Sequence, residues 1–197
     1  MKKVLVVVLV SVLTMGSAFA QKGAWYIGTS AMTSVATFDN PGTAFTTGFM
    51  MDKAGDEQTM CFGIAPDAGY FVSDKFSVGL GVAFNLTSWK VDSDTDAVNT
   101  TAFGINPYAR YFFISKGNFG LYLQGGLSYV SSKVEDLDAV NTFYIGINPG
   151  IAYTLGSNFG ITASFGNLGY TNYAEEVSRF GLNVDASSLR IGLHYSF

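Results

Sequence analysis

The residues from 76 to 87 alternate strictly between two kinds of side chain. The even positions carry Phe, Val, Leu, Val, Phe and Leu, whereas the odd positions carry only small or weakly polar side chains. A period of two is the pattern of a β-strand, because successive side chains point to opposite faces of a sheet. The segment is about twice as long as a usual globular strand. It therefore predicts a strand longer than those of ordinary globular cores.

The same alternation recurs along the chain and predicts eight strands. Three connections between them are tight, at 73–75, 115–118 and 156–158, and they alternate with four longer ones. Short turns at one end and long loops at the other are typical of a transmembrane β-barrel. The predicted strands are 24–36, 58–72, 76–87, 100–114, 119–133, 142–155, 159–169 and 187–197, and the longer loops are 37–57, 91–99, 134–141 and 170–186.

The less apolar strand face indicates which solvent surrounds these strands. In a soluble protein that face contacts water and carries many charges. Here it is mostly Gly, Ser, Thr, Asn and Tyr, and charged residues are only 13% of the chain, about half the usual share. The sequence has no apolar run long enough for a spanning helix. The predicted fold is therefore all-β, an eight-stranded antiparallel transmembrane barrel with a packed lumen.

The first twenty residues have the features of a cleaved signal peptide. Lys2 and Lys3 precede the apolar run 4–10, and small residues lead to a cleavage site after Ala20. We expect residues 1–20 to be removed and 21–197 to form one barrel domain. Without the two lysines, nine basic residues face fifteen acidic ones, a net charge of 9 − 15 = −6. This balance argues against nucleic acid as a partner, because that affinity depends on basic residues.

The C-terminal segment 190–197, RIGLHYSF, supplies the most specific motif. Arg190, Gly192, Tyr195 and the terminal Phe197 resemble the β-signal by which the barrel-assembly machinery recognises outer-membrane barrels. The chain thus resembles small outer-membrane β-barrels of the OmpA and OmpX type. The resemblance implies the outer membrane of a Gram-negative cell, with membrane lipid and lipopolysaccharide as surroundings. It also implies periplasmic turns and extracellular long loops, which hold thirteen of the fifteen acidic residues.

Strand parity assigns a polar set to the barrel interior. Eight strands leave room only for side chains to fill the interior, and buried arginines need acceptors. We therefore expect Asp67 and Arg110 to pair or to share one network. A polar plug is the favoured interpretation, and a path for small solutes is the alternative. The predicted lumen network is Asp67, Asn106, Tyr108, Arg110, Gln124, Tyr144, Asn148, Arg190 and His194.

Aromatic residues recur near the tight turns. Tyrosines near the ends of even-numbered strands are spaced 41, 42 and 42 residues apart, and phenylalanines open the strands after the turns. Amphipathic rings at this height favour a periplasmic girdle at the headgroup level. The predicted girdle is Tyr70, Phe76, Tyr111, Phe119, Tyr153, Phe159 and Tyr195.

Catalytic and metal-binding chemistry has little support in the sequence. His194 and Ser196 form an H-x-S pair, as in some outer-membrane lipid hydrolases, but no carboxylate is placed to orient the imidazole. The acidic stretch 92–96 lacks the glycine and the final glutamate of a calcium loop. The lone Cys61 permits no internal disulfide. We expect no cofactor and a non-enzymatic surface role, with a minor solute channel and a lipid-modifying enzyme as alternatives.

Three prolines interrupt predicted strands at equivalent places. Pro66, Pro107 and Pro149 each stand four residues before a girdle tyrosine. A proline in a closed barrel loses one ladder hydrogen bond. We expect these residues to mark local bends or bulges in the wall.

Overall fold

The computed structural model describes residues 22–32, 47–92, 96–173, 177–184 and 189–197. The predicted signal peptide and its cleavage site lie outside these ranges. Among the described residues there is no helix long and apolar enough to cross a membrane. The strands in chain order are β1 (Trp25–Met32), β2 (Gly48–Ala54), β3 (Glu57–Ile64), β4 (Pro66–Ser73), β5 (Phe76–Lys90), β6 (Val98–Lys116), β7 (Phe119–Val134), β8 (Val140–Leu155), β9 (Phe159–Ser164), β10 (Asn167–Tyr173), β11 (Val177–Asn183) and β12 (Arg190–Ser196).

The strands close into a barrel in which every neighbouring pair is antiparallel. The order β8-β7-β6-β5-β4-β1-β12-β9 returns to β8 through the β8–β9 pairing. Closure depends on β1 and β12, which pair from Tyr26↔Ser196 to Met32↔Arg190. The predicted all-β class and closed eight-stranded antiparallel barrel are confirmed.

Four of the eight wall positions are built from two successive strands. β1 pairs with β4 and β2 pairs with β3, both antiparallel, and β3 leads directly into β4 along the chain. In the same way β9 and β10 share β8, while β11 and β12 lie against β10 and β9. The eight predicted strands therefore correspond to eight wall positions, although two of the predicted strands contain a break, at Ala65 and at Phe165–Gly166.

The prediction of two long loops was wrong where β2 and β11 lie. Residues 48–54 and 177–183 fall within the predicted loops 37–57 and 170–186. The structure pairs them in register with β3 and β10. The ladders compensate for weak alternation, and charges at exposed positions of a strand carry little desolvation cost. The chain between β2 and β3 is a two-residue turn at 55–56, where Gly55 has a positive φ of 66°.

The two faces of the wall have inverted burial relative to a soluble protein. On β5 the apolar side chains Val78, Leu80 and Phe84 are about 40% or more exposed, whereas Ser77 and Ala83 on the opposite face are almost fully buried. The apolar face therefore lies outside and the small or polar face lies inside. This is the arrangement that a barrel surrounded by lipid requires.

The prolines coincide with wall irregularities at two of three positions. Pro66 begins β4 after the break at Ala65, and the Pro149 carbonyl accepts from Phe165 N, beside the β9–β10 break. Pro107 lies in unbroken register opposite Leu80 on β5, whereas the ladder to β7 omits Asn106 and Pro107 without a change of register. Of the predicted bends or bulges, a bulge is therefore absent at Pro107, and the register shift in that strand falls between Phe112 and Ile114.

The lumen and the aromatic girdle

The predicted lumen residues lie on inward-facing positions of the wall. Seven of the nine line one cavity of about 70 Å³. Tyr144 and Asn148 lie on β8 outside this lining, and the Asn148 amide donates to the Gly166 carbonyl at 2.9 Å. The Asn106 amide donates to Leu127 O at 2.5 Å and to Ser128 Oγ at 2.8 Å. The seven predicted residues that line the cavity are Asp67, Asn106, Tyr108, Arg110, Gln124, Arg190 and His194.

Asp67 and Arg110 belong to one polar network. Arg110 Nη2 lies 3.8 Å from Asp67 Oδ2, and that same oxygen accepts a hydrogen bond from Tyr108 Oη at 2.5 Å. On the other side, Arg110 Nε donates to Gln124 Oε1 at 2.7 Å. The adjacent strands β4, β5, β6 and β7 bring these residues together. The network fixes the guanidinium across the lumen.

Three tyrosine rings surround the Arg110 guanidinium. Its Cζ lies 5.6 Å from the ring centroid of Tyr26, 4.6 Å from that of Tyr108 and 5.4 Å from that of Tyr122. All three distances are within the range of cation–π attraction, and desolvation strengthens such contacts. The rings therefore share with Asp67 the stabilisation of a positive charge inside the barrel.

Between this network and the tight turns, aromatic rings fill the lumen. Phe71 contacts Tyr26 at 5.4 Å and Phe112 at 5.8 Å between ring centroids, and Phe112 contacts Tyr122 at 5.4 Å. These side chains are at most 7% exposed. We call the group the aromatic plug, and its members are Tyr26, Phe71, Tyr108, Phe112, Tyr122 and Ala152.

The hydroxyl groups of Tyr26 and Tyr108 in the plug are hydrogen-bonded to each other and to neighbouring side chains. Tyr26 Oη lies 3.1 Å from Tyr108 Oη and 3.3 Å from Ser77 Oγ. These bonds satisfy polar atoms that would otherwise be costly to bury. At the turn end of the lumen, the Tyr26 and Tyr108 hydroxyls are therefore hydrogen-bonded, whereas the buried Thr154 Oγ1 has no partner among the described residues.

The sequence prediction missed Tyr26, Phe71 and Phe112. Each follows an outward aromatic residue: Trp25, Tyr70 and Tyr111. Since neighbouring positions of a strand face opposite sides, one ring of each pair must point inward. That parity signal was present in the sequence. The inward face was interpreted as polar because its other members are polar or small.

The predicted girdle residues lie on the outer face of the barrel, near its tight turns. They stand opposite one another across the ladders as Phe76↔Tyr111, Phe119↔Tyr153 and Phe159↔Tyr195. Tyr70 stands opposite Trp25, with ring centroids 5.0 Å apart. Trp25 therefore occupies the girdle height as well, although it was not predicted there.

The C-terminal strand closes the wall. Trp25 N donates to Phe197 O at 3.0 Å, and Phe197 N donates to Trp25 O at 2.9 Å. Along β12, Tyr195 faces outward in the girdle, while Gly192 is buried on the inner side. Arg190 begins the strand and lines the cavity. The predicted assembly-signal residues therefore span β12 from its first residue to the end of the chain.

The residues considered for catalysis lie inside the barrel. His194 and Ser196 are each 8% exposed, on the inner face of β12. The His194 ring packs edge-on against Tyr26 with centroids 6.3 Å apart. The carboxylate that lines the same cavity, Asp67, accepts from Tyr108.

A metal site has no support in the described part of the chain. Among those residues, no three His, Cys, Asp or Glu side chains are grouped to hold a metal ion. Residues 93–95 of the acidic stretch 92–96 lie outside the described ranges. Cys61 is a free thiol whose sulfur accepts from Thr87 Oγ1 at 3.6 Å.

The closed wall, inverted faces and girdle define a barrel built for a lipid bilayer. A family model for the outer membrane protein beta-barrel domain matches residues 5–197. The chain belongs to that family and is an outer-membrane β-barrel protein that crosses the membrane with strands.

Comparison with individual proteins adds little beyond the family. Among solved structures, the chain is similar to OmpT, an outer membrane protein of Vibrio cholerae folded in vitro and solved in a trimer form. Sequence identity is 13% and the TM-score is 0.37, with 92% of this chain and 53% of that chain covered. The chain thus spans about half the length of OmpT. No curated protein sequence matches.

Proposed function

We propose that this outer-membrane barrel is a sealed, non-enzymatic scaffold that presents its outer connections at the cell surface. The aromatic plug is the observation that carries the proposal. Its rings come from β1, β4, β6 and β7, so they cross the lumen from several sides. Packed rings that are at most 7% exposed support a lumen that is closed to solutes. This favours a scaffold over the alternative of a minor solute channel.

The charges of the outer connections support a surface role. The turn between β2 and β3, the first residue of β3 and the connection between β7 and β8 are acidic; these residues are Asp56, Glu57, Glu135, Asp136 and Asp138. They lie at the end of the wall opposite the girdle. At the girdle end, Lys22, Lys75 and Lys116 are basic. We propose that the acidic end faces the medium beside lipopolysaccharide, with the girdle at the periplasmic side.

A plug variant tests the sealed scaffold. In Phe71→Ala/Phe112→Ala, two rings leave the centre of the plug, and we expect stepwise ion conductance in planar bilayers because water can enter the vacated volume. The matched control, Val72→Ala/Phe113→Ala, removes the outward neighbours on the same strands and should stay silent. Equal conductance from the two double variants would show that the plug does not seal the lumen.

Biogenesis follows from the same assignment. We propose that the barrel-assembly machinery recognises β12 through Arg190, Gly192, Tyr195 and Phe197, after a signal peptide ending at Ala20 has been removed. The pairing of Phe197 with Trp25 supports this proposal, since the last strand must join the first to close the wall.

A further inference from the structure

The cavity beside the plug has an excess of positive charge. Its charged lining within the described ranges consists of Arg110, Arg190 and Asp67. Two guanidinium groups and one carboxylate give a formal charge of +2 − 1 = +1, with His194 counted as neutral. The chain as a whole carries −4. A positively charged cavity inside an acidic protein requires a negative charge close to it.

Asp67 already has other partners. Its Oδ2 accepts from Tyr108 and lies 3.8 Å from Arg110. Within the described ranges, Arg110 and Asp67 form an ion pair, and no described carboxylate lies within pairing distance of Arg190. An ion enclosed by protein and left without an opposite charge is strongly destabilising. Among the described residues, Arg190 has no such opposite charge.

Hydrogen-bond donors also predominate around the cavity. Because Gln124 Oε1 accepts from Arg110 Nε at 2.7 Å, the amide orientation is fixed and its NH₂ group is left to donate elsewhere. The hydroxyl of Thr162 lines the same space and can donate as well. With the five N–H groups of a guanidinium, the cavity offers donors suited to an anion.

We propose that this cavity binds a small monovalent inorganic anion of the chloride type. The anion is held by Arg190 and the Gln124 amide, with Arg110 adding a second positive charge. A cavity of about 70 Å³ is several times the space that one enclosed water needs, so it has room for a small inorganic ion. The inference stands apart from the sealed-scaffold proposal, because a bound ion beside the plug requires no passage through it.

Chloride-35 line broadening of the refolded full chain in non-ionic micelles tests the proposal. Chloride that exchanges with a protein site shows an excess line width, and we expect one for the wild-type chain. Arg190→Gln should weaken chloride binding about tenfold or more, because hydrogen bonds to a charged group are the strong ones. Lys75→Gln, at an exposed turn, is the matched control and should match the wild type. Equal or absent excess width in all three proteins overturns the site.

A second variant keeps the test decisive if Arg190→Gln does not assemble. Gln124→Glu places a tethered carboxylate in the cavity at nearly unchanged size, so we expect it to fold and to lose the chloride-dependent line width. Replacing gluconate by chloride should raise the unfolding temperature of the wild type but not that of Gln124→Glu. A Gln124→Glu barrel that binds chloride as tightly as the wild type contradicts the proposal, as does a wild type insensitive to chloride.

Discussion

Glycine positions explain how large rings fit against the inner wall. Tyr108 stands opposite Gly79, Tyr122 opposite Gly150, and His194 opposite Gly160. A Cβ added at any of these glycines would lie 2.2–2.4 Å from an atom of the facing ring. The absence of a side chain therefore lets each ring lie flat on the neighbouring strand. The rings cover backbone that would otherwise be open to the lumen.

At the residue scale, Gly79→Ala should destabilise the barrel and Gly81→Ala should not. The Gly79 Cβ would meet the Tyr108 ring, which Asp67 and Tyr26 hold by hydrogen bonds. We expect a loss of about 1–3 kcal/mol in the free energy of unfolding, as for other overpacked sites. At Gly81 the nearest atoms are 3.7 Å away, so the change should stay within about 0.5 kcal/mol.

Urea unfolding in lipid bilayers, followed by tryptophan fluorescence, measures both glycine variants. The two positions share one strand and one inward face, so strand propensity and membrane depth are nearly matched. Equal stabilities for Gly79→Ala and Gly81→Ala would mean that Tyr108 moves freely, and the plug geometry described above would then be wrong.

At the scale of elements, the girdle couples neighbouring strands. Phe159 on β9 and Tyr195 on β12 are opposite in the ladder, with ring centroids 5.0 Å apart in an edge-on arrangement. Aromatic pairs of this kind contribute about 0.5–1.5 kcal/mol beyond the area they bury. The pair joins β9 to β12, so it adds to the stability of the strand that closes the barrel.

A double-mutant cycle on Phe159→Ala and Tyr195→Ala should give a coupling energy of about 0.5–1.5 kcal/mol. The control cycle combines Phe159→Ala with Phe76→Ala, whose residues lie on strands that do not pair, and its effects should add. Unfolding free energies in the same lipid supply all values. Additive effects in both cycles would leave the girdle without a role in joining β9 to β12.

The elements that the sequence predicted are those with strict alternation. The predicted bounds of β5 to β8 lie within a few residues of the observed ones, because the outward faces of these long strands are mostly apolar. β2 and β11 fall in predicted loops, because the charged Lys53 and Arg179 interrupt their apolar faces. Only the pairing with β3 and β10 defines these two strands. Breaks at Ala65 and Gly166 depend on where neighbouring strands change partner, which a single sequence does not encode locally.

At the scale of the whole molecule, the two ends of the barrel differ in charge and in the length of their connections. Parity and turn spacing predicted the closed wall and the inward polar set. The aromatic plug was not predicted, because its packing depends on the register among β1, β4, β6 and β7. The outward–inward aromatic pairs such as Tyr70–Phe71 held the signal, but only closure shows that the inward rings meet.

Orientation can be tested with single cysteines in a Cys61→Ser background. Asp136→Cys lies in the β7–β8 connection at the acidic end, and we expect a membrane-impermeant maleimide to label it on intact cells. Asp74→Cys lies at the girdle end, where Asp74 accepts from Lys22 N at 2.9 Å, and it should react only after the outer membrane is opened. The reverse labelling pattern would mean that the acidic end faces the periplasm.

Solute flux through the wild-type barrel tests the central claim most directly. Purified protein is reconstituted into liposomes, and swelling is followed in isotonic solutions of small sugars. A lumen filled by the aromatic plug predicts a swelling rate equal to that of protein-free liposomes for every sugar. Swelling that rises with protein content and falls with sugar size would contradict the sealed barrel and establish a channel instead.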